Sequence, residues 1–525
     1  MIWHLGATEA RAQSQPANSL SIASYGASTS AGDNTAAIQS CINAAQSQGK
    51  SVWIPAGTYT IQGSLNATGI TIAGAGMTSS IIYRQQNSSD ITSTQISALS
   101  CTIKDIGLDG NGTSRGVNAS YGINMKGVGW LIQRVQIHHS DAGIWASGSN
   151  GTCDSCVMLQ TFADGININN SGTAPNNAGA NLTIQNCSQT GAGDDGFAIN
   201  SQGEDMSWPN MVNPKILNCT STGAFYANGI RMAGGSGSLV QGCLVSNTAR
   251  LCGIEASSFG SGGWNISNGL ITANKVMGSG TVDASACIKT GDARTTATFS
   301  NNILLNSAGA GFQVGTPTYP NGGNIVVGPN NVIDHPAIGG FAVQSGVSGS
   351  GDFKNNSVLN LNSGQAAFTN NSGSFSATQE NNNWQGLSNG TYRIVNLNSA
   401  LALDVTGQAT ANGSLVEQWG YNGGSNQLWA VTSLGGGQYS ITGVQSGRVL
   451  DVTGASLSNG AAIEIWDSNG GNNQKWIITP SAGTIKAVHS GLLMEVLGAS
   501  SSPGAGIDQW PANGGENQQW TFQAP

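Results

Sequence analysis

The sequence predicts an all-β protein made of two successive repeat regions, and three observations support this. The chain has 525 residues, which is too long for one ordinary domain. Only 8% of the residues are charged and 76 are glycine, and short apolar runs alternate with stretches rich in Gly, Asn, Ser and Thr. This composition is typical of many short strands joined by turns. Two sets of recurring residues, with different periods, divide the chain near residue 385.

The start of the chain has features of a processed leader. The segment "ARA" precedes Gln13, like the small residues of a signal cleavage site, but an apolar core is missing. We interpret residues 1–17 as a leader remnant or expression scar and expect a secreted, extracellular protein. Residues 33–48, "DNTAAIQSCINAAQSQ", predict a short amphipathic helix behind an Asp or Asn cap, placed to close the N-terminal end of the first domain.

The first repeat runs from about residue 130 to about residue 370. Most units have a short apolar strand, a polar turn, and then Gly followed by Ile or Phe; Cys287 and Ala367 stand in place of the Gly in two of them. The recurring apolar residues are Ile144, Ile166, Phe197, Ile230, Ile254, Ile288, Phe312, Phe341 and Phe368. Their separations, by subtraction, are 22, 31, 33, 24, 34, 24, 29 and 27 residues. Such periods predict a solenoid of stacked coils, a parallel β-helix, in which these residues form an interior ladder.

Cysteines follow the same period. Cys156 and Cys187 precede their ladder Gly by nine residues, and Cys219 and Cys243 precede theirs by ten. We therefore predict a vertical cysteine column, with a coil spacing that falls within disulfide reach. A single C-x-x-C beginning at Cys153 has no clear second pair, so a structural or disulfide role is favoured over zinc.

Acidic residues occupy the same point of two consecutive units. The position before the ladder Gly is Asp164 in one unit and Asp195 in the next, with Asp194 beside it. Asn228 extends the polar column by one unit, and Arg231 follows closely enough to orient a carboxylate or a sugar hydroxyl. Clustered carboxylates cannot all ionise freely, so at least one pKa should be raised. A protonated acid beside an ionised one is what cleavage of a glycosidic bond needs.

Other interpretations of this column stay open. Asp before Gly is common in turns, and a stack of Asp and Asn can form a solvated polar ladder or a structural calcium site. Stacked like charges cost free energy unless something offsets that cost, which favours the catalytic interpretation. We expect no cofactor to be required, with structural calcium as the one metal considered.

Two long segments flank the coil with the paired Asp. Residues 169–181 and 201–214 are expected to form the walls of a cleft. Trp208, in the second segment, is predicted either to stack on a sugar ring or to pack within the domain.

Two stretches resemble known families. Residues 25–61, "YGAS…DNTAAIQSCINAA…VWIPAGTYTI", resemble the opening of pectate-lyase-like β-helix proteins. The later "GDDGFAI" is similar to the paired-Asp coil of β-helix glycoside hydrolases, which include polygalacturonases, dextranases and the mycodextranase / α-1,3-glucanase family. Polygalacturonases carry Gly-His-Gly and Arg-x-Lys where this chain has "NGIRMAGG". The resemblance therefore implies a right-handed parallel β-helix over residues 18–385 and a neutral α-glucan substrate, α-1,3-glucan first.

The same resemblance implies an inverting mechanism. Asp194 would protonate the leaving oxygen, while Asp164 and Asp195 would hold and deprotonate the attacking water. Inversion requires an acid and a base about 6.5–9.5 Å apart, so that water fits between them.

A second, threefold repeat occupies residues 390–525. Three columns of residues each recur after 47 and then 44 residues. The columns are Asp404, Asp451 and Glu495; Trp419, Trp466 and Trp510; and Trp429, Trp476 and Trp520. The agreement of three columns indicates one module repeated three times.

This region resembles the ricin-type β-trefoil carbohydrate-binding module with its Gln-x-Trp signature. The resemblance implies a core role for the second Trp of each repeat. It implies sugar binding by the acidic residue, the first Trp and an Asn, namely Asn426, Asn473 and Asn517, with help from Glu417, Glu464 and Asp508. The pocket of the third repeat is the least regular, because Glu495 stands where Asp is usual. Three weak sites on one module give avidity for a polymer.

Taken together, these features predict a secreted glycoside hydrolase with a polysaccharide substrate. The alternatives are a dextranase, a polygalacturonase-like hydrolase, or a non-catalytic carbohydrate-binding adhesin. The net charge is −8 and the 18 basic residues are scattered, which argues against nucleic acid. No stretch approaches the roughly 20 apolar residues of a membrane span. We expect a monomer.

Overall fold

The computed structural model describes most of the chain, and only the described residues are discussed. They are residues 13–85, 94–114, 121–170, 179–201, 208–258, 264–291, 295–315, 321–362, 364–380, 382, 384, 387–435 and 438–525. The chain divides into two compact units, one of Met1–Asp352 with Phe368–Thr378, the other of Phe353–Ala367 with Gln379–Pro525. Most of the predicted leader remnant lies outside the described residues.

The predicted helix is present and spans Thr35–Gln48. The Asp33 Oδ1 atom accepts a hydrogen bond from the Thr35 backbone N–H at 2.9 Å, which satisfies one donor of the first turn. Gly49 ends the helix with φ 62°, a left-handed conformation that glycine adopts without strain. The buried face of the helix consists of Ile38, Cys41, Ile42 and Ala45. A short 3₁₀ helix, Ile22–Tyr25, precedes it.

The first region is a parallel β-solenoid with three ladders of strands. The first ladder contains Ser19–Ser21, Ser51–Ile54, Thr71–Gly74, Thr102–Asp109, Leu131–His138, Thr152–Asp154, Thr183–Gln185, Lys215–Leu217, Leu239–Gln241, Gly269–Thr272, Thr296–Ser300, Asn321–Val327, Ser348–Lys354 and Phe375–Glu380. The second shares the two longest of these strands and adds Gly57–Ile61, Ser80–Arg84, Val157–Leu159, Ser188–Thr190, Thr220–Thr222, Leu244–Ser246, Lys275–Met277, Ile303–Leu305, Val332–Asp334 and Ser357–Leu359.

The third ladder, here called the groove ladder, carries the predicted apolar column. Its strands are Leu65–Thr68, Thr94–Leu99, Tyr121–Lys126, Ile144–Ser147, Ile166–Asn169, Phe197–Asn200, Ile230–Ala233, Ile254–Ser257, Ile288–Gly291, Ala310–Val314, Gly339–Val343 and Phe368–Asn370. All nine predicted ladder residues pair in register, from Ile144 with Ile166 to Phe341 with Phe368. The predicted coil alignment is therefore confirmed. A small two-stranded pairing joins Gly235–Ser236 to Ile266–Ser267.

The corner between the first and second ladders explains the Asn-rich composition. One residue per coil has a left-handed backbone there, including Ser155, Asn186, Asn218, Asn301 and Asn355 with φ between 51° and 55°. Asn tolerates this conformation better than most residues because its short side chain can bond locally.

The predicted cysteine column lies at this corner and continues as asparagines. The Cys156 N–H donates to Cys187 Sγ at 3.4 Å. The Cys243 N–H donates to Asn274 Oδ1 at 2.9 Å, and Asn274 is followed by Asn302 in the same manner. All nine cysteines are free and buried, so the disulfide alternative is wrong. Coils spaced by about 4.8 Å hold Cβ atoms farther apart than the roughly 3.5–4.5 Å of a disulfide.

The second region is a β-trefoil of twelve antiparallel strands within the described residues. They are Gly390–Asn396, Ala402–Val405, Ser414–Trp419, Trp429–Gly435, Gln438–Gly443, Val449–Val452, Ala461–Trp466, Trp476–Thr479, Thr484–Ala487, Leu493–Val496, Ile507–Trp510 and Trp520–Gln523. Short 3₁₀ helices lie at Thr406–Gln408, Ser425–Gln427, Thr453–Ala455, Asn472–Gln474, Pro480–Ala482, Leu497–Ala499 and Glu516–Gln518.

The second Trp of each trefoil repeat is in the core, as predicted. Trp429, Trp476 and Trp520 are buried. Their indole N–H groups donate to the carbonyl oxygens of Leu403, Leu450 and Met494 at 3.0–3.2 Å. Each repeat thus fills the centre with the same apolar ring and satisfies its one polar atom. No helix among the described residues has the length and apolar character needed to cross a membrane.

Candidate active site

The acidic column lies at the entry of two neighbouring groove-ladder strands. Asp164 precedes the strand Ile166–Asn169, and Asp194 and Asp195 precede the strand Phe197–Asn200. The backbone pairing extends through this entry, because the Gly165 N–H donates to the Asp195 carbonyl at 3.0 Å. Successive coils therefore place the carboxylates directly above one another.

The ladder glycines permit this close stacking. A Cβ atom added at Gly165 would lie 2.4 Å from the Gly196 carbonyl oxygen, and one added at Gly196 would lie 2.5 Å from the Gly229 carbonyl oxygen. Real Cβ atoms do not approach a backbone oxygen so closely. Coil packing therefore requires the Gly that follows each acid. It does not require an acid at the preceding position.

The three acids converge as predicted. One oxygen of each carboxylate, from Asp164, Asp194 and Asp195, lies within 4.8 Å of the others. Asp164 and Asp195 are buried, with exposures of 7% and 4%. Asp194 is half-buried and is the most accessible of the three. The cluster therefore has two carboxylates in its wall and one toward the opening.

Fixed donors hold the two buried carboxylates. Asn167 Nδ2 donates to Asp164 Oδ2 at 2.7 Å, and the Asp195 N–H donates to Asp164 Oδ1 at 3.2 Å. The backbone N–H and the Nδ2 group of Asn228 both donate to Asp195 Oδ1 at 3.0 Å. Asn228 thus extends the polar column as predicted, by fixing Asp195 from the next coil.

Burial raises the pKa of both wall carboxylates. The pKa of Asp164 rises to about 6 through burial and the nearby Asp194 charge, against the lowering effect of its Asn167 bond. The pKa of Asp195 rises to about 8 through burial and the Asp164 charge, partly opposed by Arg231. The sequence predicted at least one raised pKa in the cluster, and two are raised, so the pair holds about one proton near neutral pH.

The sequence analysis identified Arg231 but missed the polar row beside the cluster to which it belongs. Arg231, Glu255 and Lys289 pair in register on three successive groove-ladder strands, each one residue after its ladder Ile. Lys289 Nζ lies 3.6 Å from Glu255 Oε1. Although burial opposes it, the charges of Lys289 and Arg231 keep the pKa of Glu255 below its usual value. The sequence did contain a signal for this row, because all three charged residues directly follow a ladder isoleucine.

Glu255 reaches the acid cluster through one side chain. Asn228 Nδ2 donates to Glu255 Oε2 at 3.0 Å as well as to Asp195, and the thiol of Cys252 donates to Asn228 Oδ1 at 3.0 Å. The Asn228 amide is therefore fixed at both ends, which orients its N–H groups toward the carboxylates. Arg231 interacts electrostatically with Asp195, Glu255 and Asp164, consistent with its predicted orienting role.

An aromatic pair stands on the N-terminal side of the cluster. The rings of Tyr121 and Trp145 are stacked, with centroids 6.0 Å apart and planes 17° apart. Trp145 pairs in register with Asn167, the partner of Asp164. Burial, followed by the charges of Asp141 and Asp164, raises the pKa of Tyr121. The sequence analysis did not identify this pair, although Trp145 lies at the same ladder offset as Arg231.

The predicted cleft walls are described in part. Residues 171–178 and 202–207 lie outside the described residues. Trp208 is half-buried, and its carbonyl oxygen accepts a hydrogen bond from Trp264 Nε1 at 2.6 Å. Asn170 Nδ2 donates to the Pro209 carbonyl at 2.8 Å, which fixes the segment against the coil below the cluster. The choice between stacking on sugar and packing for Trp208 stays a prediction.

The first two trefoil repeats form matching pockets. Asp404 accepts hydrogen bonds from Asn426 at 2.9 Å and from Gln427 at 2.7 Å, one on each oxygen. In the second repeat Asp451 accepts from Asn473 and Gln474 at the same distances. Glu417 and Glu464 pair across the strands with these acids.

A tryptophan is exposed beside each trefoil acid. Trp419, Trp466 and Trp510 are 46%, 40% and 41% exposed. An exposed indole beside a fixed carboxylate and amide suits a pyranose ring, whose apolar face can stack while its hydroxyls are bound. In the third repeat Glu495 replaces Asp and accepts from Asn517 at 3.1 Å. The structure thus brings the predicted residues of each repeat together.

The chemistry of the acid cluster also suits a hard cation. Calcium takes several oxygen ligands, and three carboxylate oxygens within 4.8 Å of one another offer part of such a set. Against this, the positive charge of Arg231 acts on the same carboxylates. Structural calcium remains a prediction.

Two family models match the chain. Residues 19–255 match a model described as rhamnogalacturonase A/epimerase, pectate lyase-like. The C-terminal part, in overlapping matches over 353–419, 380–466, 425–485 and 472–525, matches a model described as ricin-type β-trefoil lectin domain-like. A comparison with curated proteins finds no match.

Solved structures similar to the solenoid are α-1,3-glucanase catalytic domains. The catalytic unit of a thermostable GH87 α-1,3-glucanase from Streptomyces thermodiastaticus strain HF3-3 has 22% identity and a TM-score of 0.57, covering 71% of this chain and 70% of that one. The Agl-KA catalytic domain has 22% identity and a TM-score of 0.59, covering 70% of each chain.

The solenoid shares the fold of these α-1,3-glucanase catalytic domains. A third similar structure is the catalytic domain of a GH87 α-1,3-glucanase variant in complex with tetrasaccharides, at 19% identity and a TM-score of 0.55, covering 71% of each chain. The resemblance inferred from "GDDGFAI" and the two-part architecture therefore agrees with the comparisons, in which a glucanase-like β-helix precedes a lectin-like trefoil.

Proposed function

We propose that the solenoid hydrolyses an α-glucan, with α-1,3-glucan as the first candidate, and that the trefoil holds the polymer. The observation that carries this proposal is the convergence of Asp164, Asp194 and Asp195 within 4.8 Å. Burial of two of them, Asp164 and Asp195, raises their pKa values, so protonated and ionised carboxylates coexist in the cluster near neutral pH. The fold shared with α-1,3-glucanase catalytic domains supports the choice of substrate.

Accessibility is the ground for choosing the general acid, and proton affinity distinguishes the two wall carboxylates from each other. Asp194, the most accessible acid, is proposed to meet the leaving oxygen as the general acid. Asp164 and Asp195 are proposed to hold and deprotonate water. Because the two wall carboxylates share a proton, with Asp195 as its preferred holder, Asp164 is the more available base.

The stereochemical outcome follows from how water enters the cluster. We propose inversion, in which water attacks from the face opposite the leaving group. The separation of acid and base in inverting enzymes is about 6.5–9.5 Å, against about 5–5.5 Å in retaining ones. One oxygen of each carboxylate lies within 4.8 Å of the others, which is a closest approach and not the separation of whole carboxyl groups, so retention is the competing outcome. Proton NMR of the first anomer released distinguishes the two.

The trefoil is proposed to raise the local concentration of substrate. Three pockets on one module bind different units of the same polymer. The module therefore dissociates from the polymer more slowly than a single pocket would. We also propose that the protein is secreted and monomeric. Size-exclusion chromatography with light scattering of the purified chain tests the second point.

A uronate polymer is the second candidate substrate. The family model matched by residues 19–255 is rhamnogalacturonase-like, and Arg231 and Lys289 place two cations beside the groove ladder. Both cations interact with Glu255, however, which reduces the positive charge available to a substrate carboxylate.

One set of assays tests the proposal. The release of reducing ends is measured on α-1,3-glucan, dextran, β-1,3-glucan and polygalacturonate, with absorbance monitored for unsaturated products. We expect release from α-1,3-glucan above all others. Asp194→Asn should abolish turnover and leave polymer binding intact, and it should retain activity on α-glucosyl fluoride, whose leaving group needs no proton. Binding without cleavage of any polymer would indicate the adhesin instead.

A further inference from the structure

A pocket of about 540 Å³ lies at the turns between the second ladder and the groove ladder. Its size falls within the roughly 300–1,000 Å³ of small-molecule sites. The described residues that line it include none of the three clustered acids and no other Asp, Glu, Lys or Arg. A neutral ligand therefore suits the pocket better than an ion, which would lose its hydration there without gaining an ionic partner.

Two glycines keep the pocket open. Gly191 and Gly223 occupy the left-handed corner that follows the second ladder, with φ of 70° and 69°. The same corner is occupied by Gln160 on the coil before and by Asn247 on the coil after, and both carry side chains. A Cβ atom added at Gly191 would come no closer than 3.9 Å to the Gln160 side chain. A larger residue at this corner would therefore fit sterically and would extend into the pocket.

His139 and Gln160 form a polar edge on the N-terminal side of the pocket. The His139 ring lies 3.2 Å from Asp109 Oδ1 through Nδ1 and 2.9 Å from Gln160 Oε1 through Nε2. These contacts position the exposed Gln160 amide at the edge of the pocket. An amide carries both donor and acceptor atoms, which suits the hydroxyl groups of a sugar.

An exposed aromatic pair borders the C-terminal side of the pocket. Phe225, which lines the pocket, is 46% exposed, and Tyr226 beside it is 53% exposed. Their rings meet edge to face, with centroids 4.7 Å apart. The Arg250 guanidinium lies 5.8 Å from both ring centroids and belongs to the next coil, on the other side of the pair from Gly191. The pair is therefore held from behind, and Phe225 faces the pocket.

The floor of the pocket leads directly to the acid cluster. Gly193 lines the pocket, and the next residue in the chain is Asp194. The Tyr226 N–H donates to the Gly193 carbonyl at 3.0 Å, and the Asp194 N–H donates to the Ala163 carbonyl at 3.2 Å. Backbone bonds to both neighbouring coils thus fix the short segment between the pocket and the most accessible acid.

We propose that this pocket is a glucan-binding subsite, in which a neutral sugar unit stacks on Phe225 and bonds to Gln160 while another unit of the same chain lies at Asp194. The assignment rests on the α-glucan substrate proposed above. Phe225 and Gln160 contact the polymer away from the reacting bond, so they bind substrate and transition state equally. They should therefore lower KM for a long chain and leave kcat unchanged.

Calorimetric titration of the full-length protein with an α-1,3-linked glucose hexasaccharide tests the subsite. The parent protein carries Asp194→Asn, which prevents cleavage, and alanine in place of the three exposed trefoil tryptophans Trp419, Trp466 and Trp510. In this parent, Phe225→Ala should raise the Kd of the hexasaccharide about fivefold, as the loss of one aromatic contact implies. In the active protein the same change should raise KM about fivefold at constant kcat.

Two further variants make the test independent of the stability of Phe225→Ala. Gly191→Asn fills the pocket from a corner where Asn247 already adopts the required backbone, and it should weaken hexasaccharide binding to the same extent. Val282→Ala shortens a side chain that is 56% exposed two coils farther along, and it should leave binding unchanged.

The outcomes separate the subsite from the proposed function. Unchanged affinity in both Phe225→Ala and Gly191→Asn would overturn the subsite and leave the proposed substrate standing. An equal loss of affinity in Val282→Ala would also overturn the subsite, because the effect would not be specific to the pocket. A parent protein that does not bind the hexasaccharide would overturn the proposed substrate, and the subsite with it.

Discussion

The solenoid and the trefoil use repetition in opposite ways. In the solenoid the apolar ladder recurs from coil to coil, but the cluster of three carboxylates is confined to two coils, at Asp164, Asp194 and Asp195. In the trefoil the acid, the tryptophan and the amide recur in all three repeats. A catalytic centre is a single constellation, so one substitution should abolish it. A polymer-binding module distributes its affinity, so one substitution should only weaken it.

After the complete loss expected for Asp194→Asn, the largest effect is expected at Asp195. Asp195→Asn should lower kcat by about a thousandfold, because the cluster loses its preferred proton holder. The fold should persist, since the amide oxygen can still accept from Asn228. Reducing-end assays and thermal unfolding, measured together, check this. Retained turnover would show that the cluster is not the catalytic centre and would remove the contrast between the regions.

A smaller loss is expected from the positioning residue Glu255. Glu255→Gln should lower kcat by about tenfold and shift the pH profile, because Asn228 loses a charged partner and no longer holds Asp195 in place. The double variant Glu255→Gln with Lys289→Met separates this from the cost of an unpaired lysine. If kcat and the pH profile stay unchanged in both while stability falls, Glu255 is purely structural.

The pH dependence of stability sharpens the picture of the cluster. The pKa values of Asp164 and Asp195 are raised in the folded protein, to about 6 and about 8, so the folded state binds more protons than the unfolded chain between about pH 4 and 8. Their contribution to stability is therefore present at low pH and is lost as pH rises through that window. Asp164→Asn with Asp195→Asn should flatten the decline. Chemical denaturation at a series of pH values measures it, and an equally steep decline in the double variant would contradict the assignment.

The smallest effect is expected in the trefoil. Trp466→Ala should weaken binding to an insoluble α-glucan only a few-fold, because two other pockets remain, and it should leave kcat on short soluble substrates unchanged. Removing Trp419 and Trp510 as well should weaken polymer binding far more than the single change. Pull-down isotherms measure both. If Trp466→Ala binds the polymer as weakly as the triple variant does, the affinity resides in the second pocket alone.

Much of this architecture was predictable because it repeats. The nine ladder residues and the cysteine column followed from spacing, since each coil must bury the same face against its neighbours. The helix near residue 35 followed from its amphipathic pattern and its cap. The convergence of Asp164 with Asp195 followed from the same register. The disulfide interpretation failed, because alignment of the coils places sulfur atoms in one column but does not bring their Cβ atoms within bonding range.

The sequence by itself determined where equivalent residues lie along each repeat. The spacing of glycine and isoleucine gives the period of the solenoid, and the spacing of tryptophan gives that of the trefoil. Only the tertiary structure decided which of them share a proton or a charge. The ion pair of Glu255 with Lys289 and the hydrogen bond from Asn228 to Asp195 depend on distances between side chains of different strands. Burial and hydrogen bonding, which set pKa values, act across space and have no period in the chain.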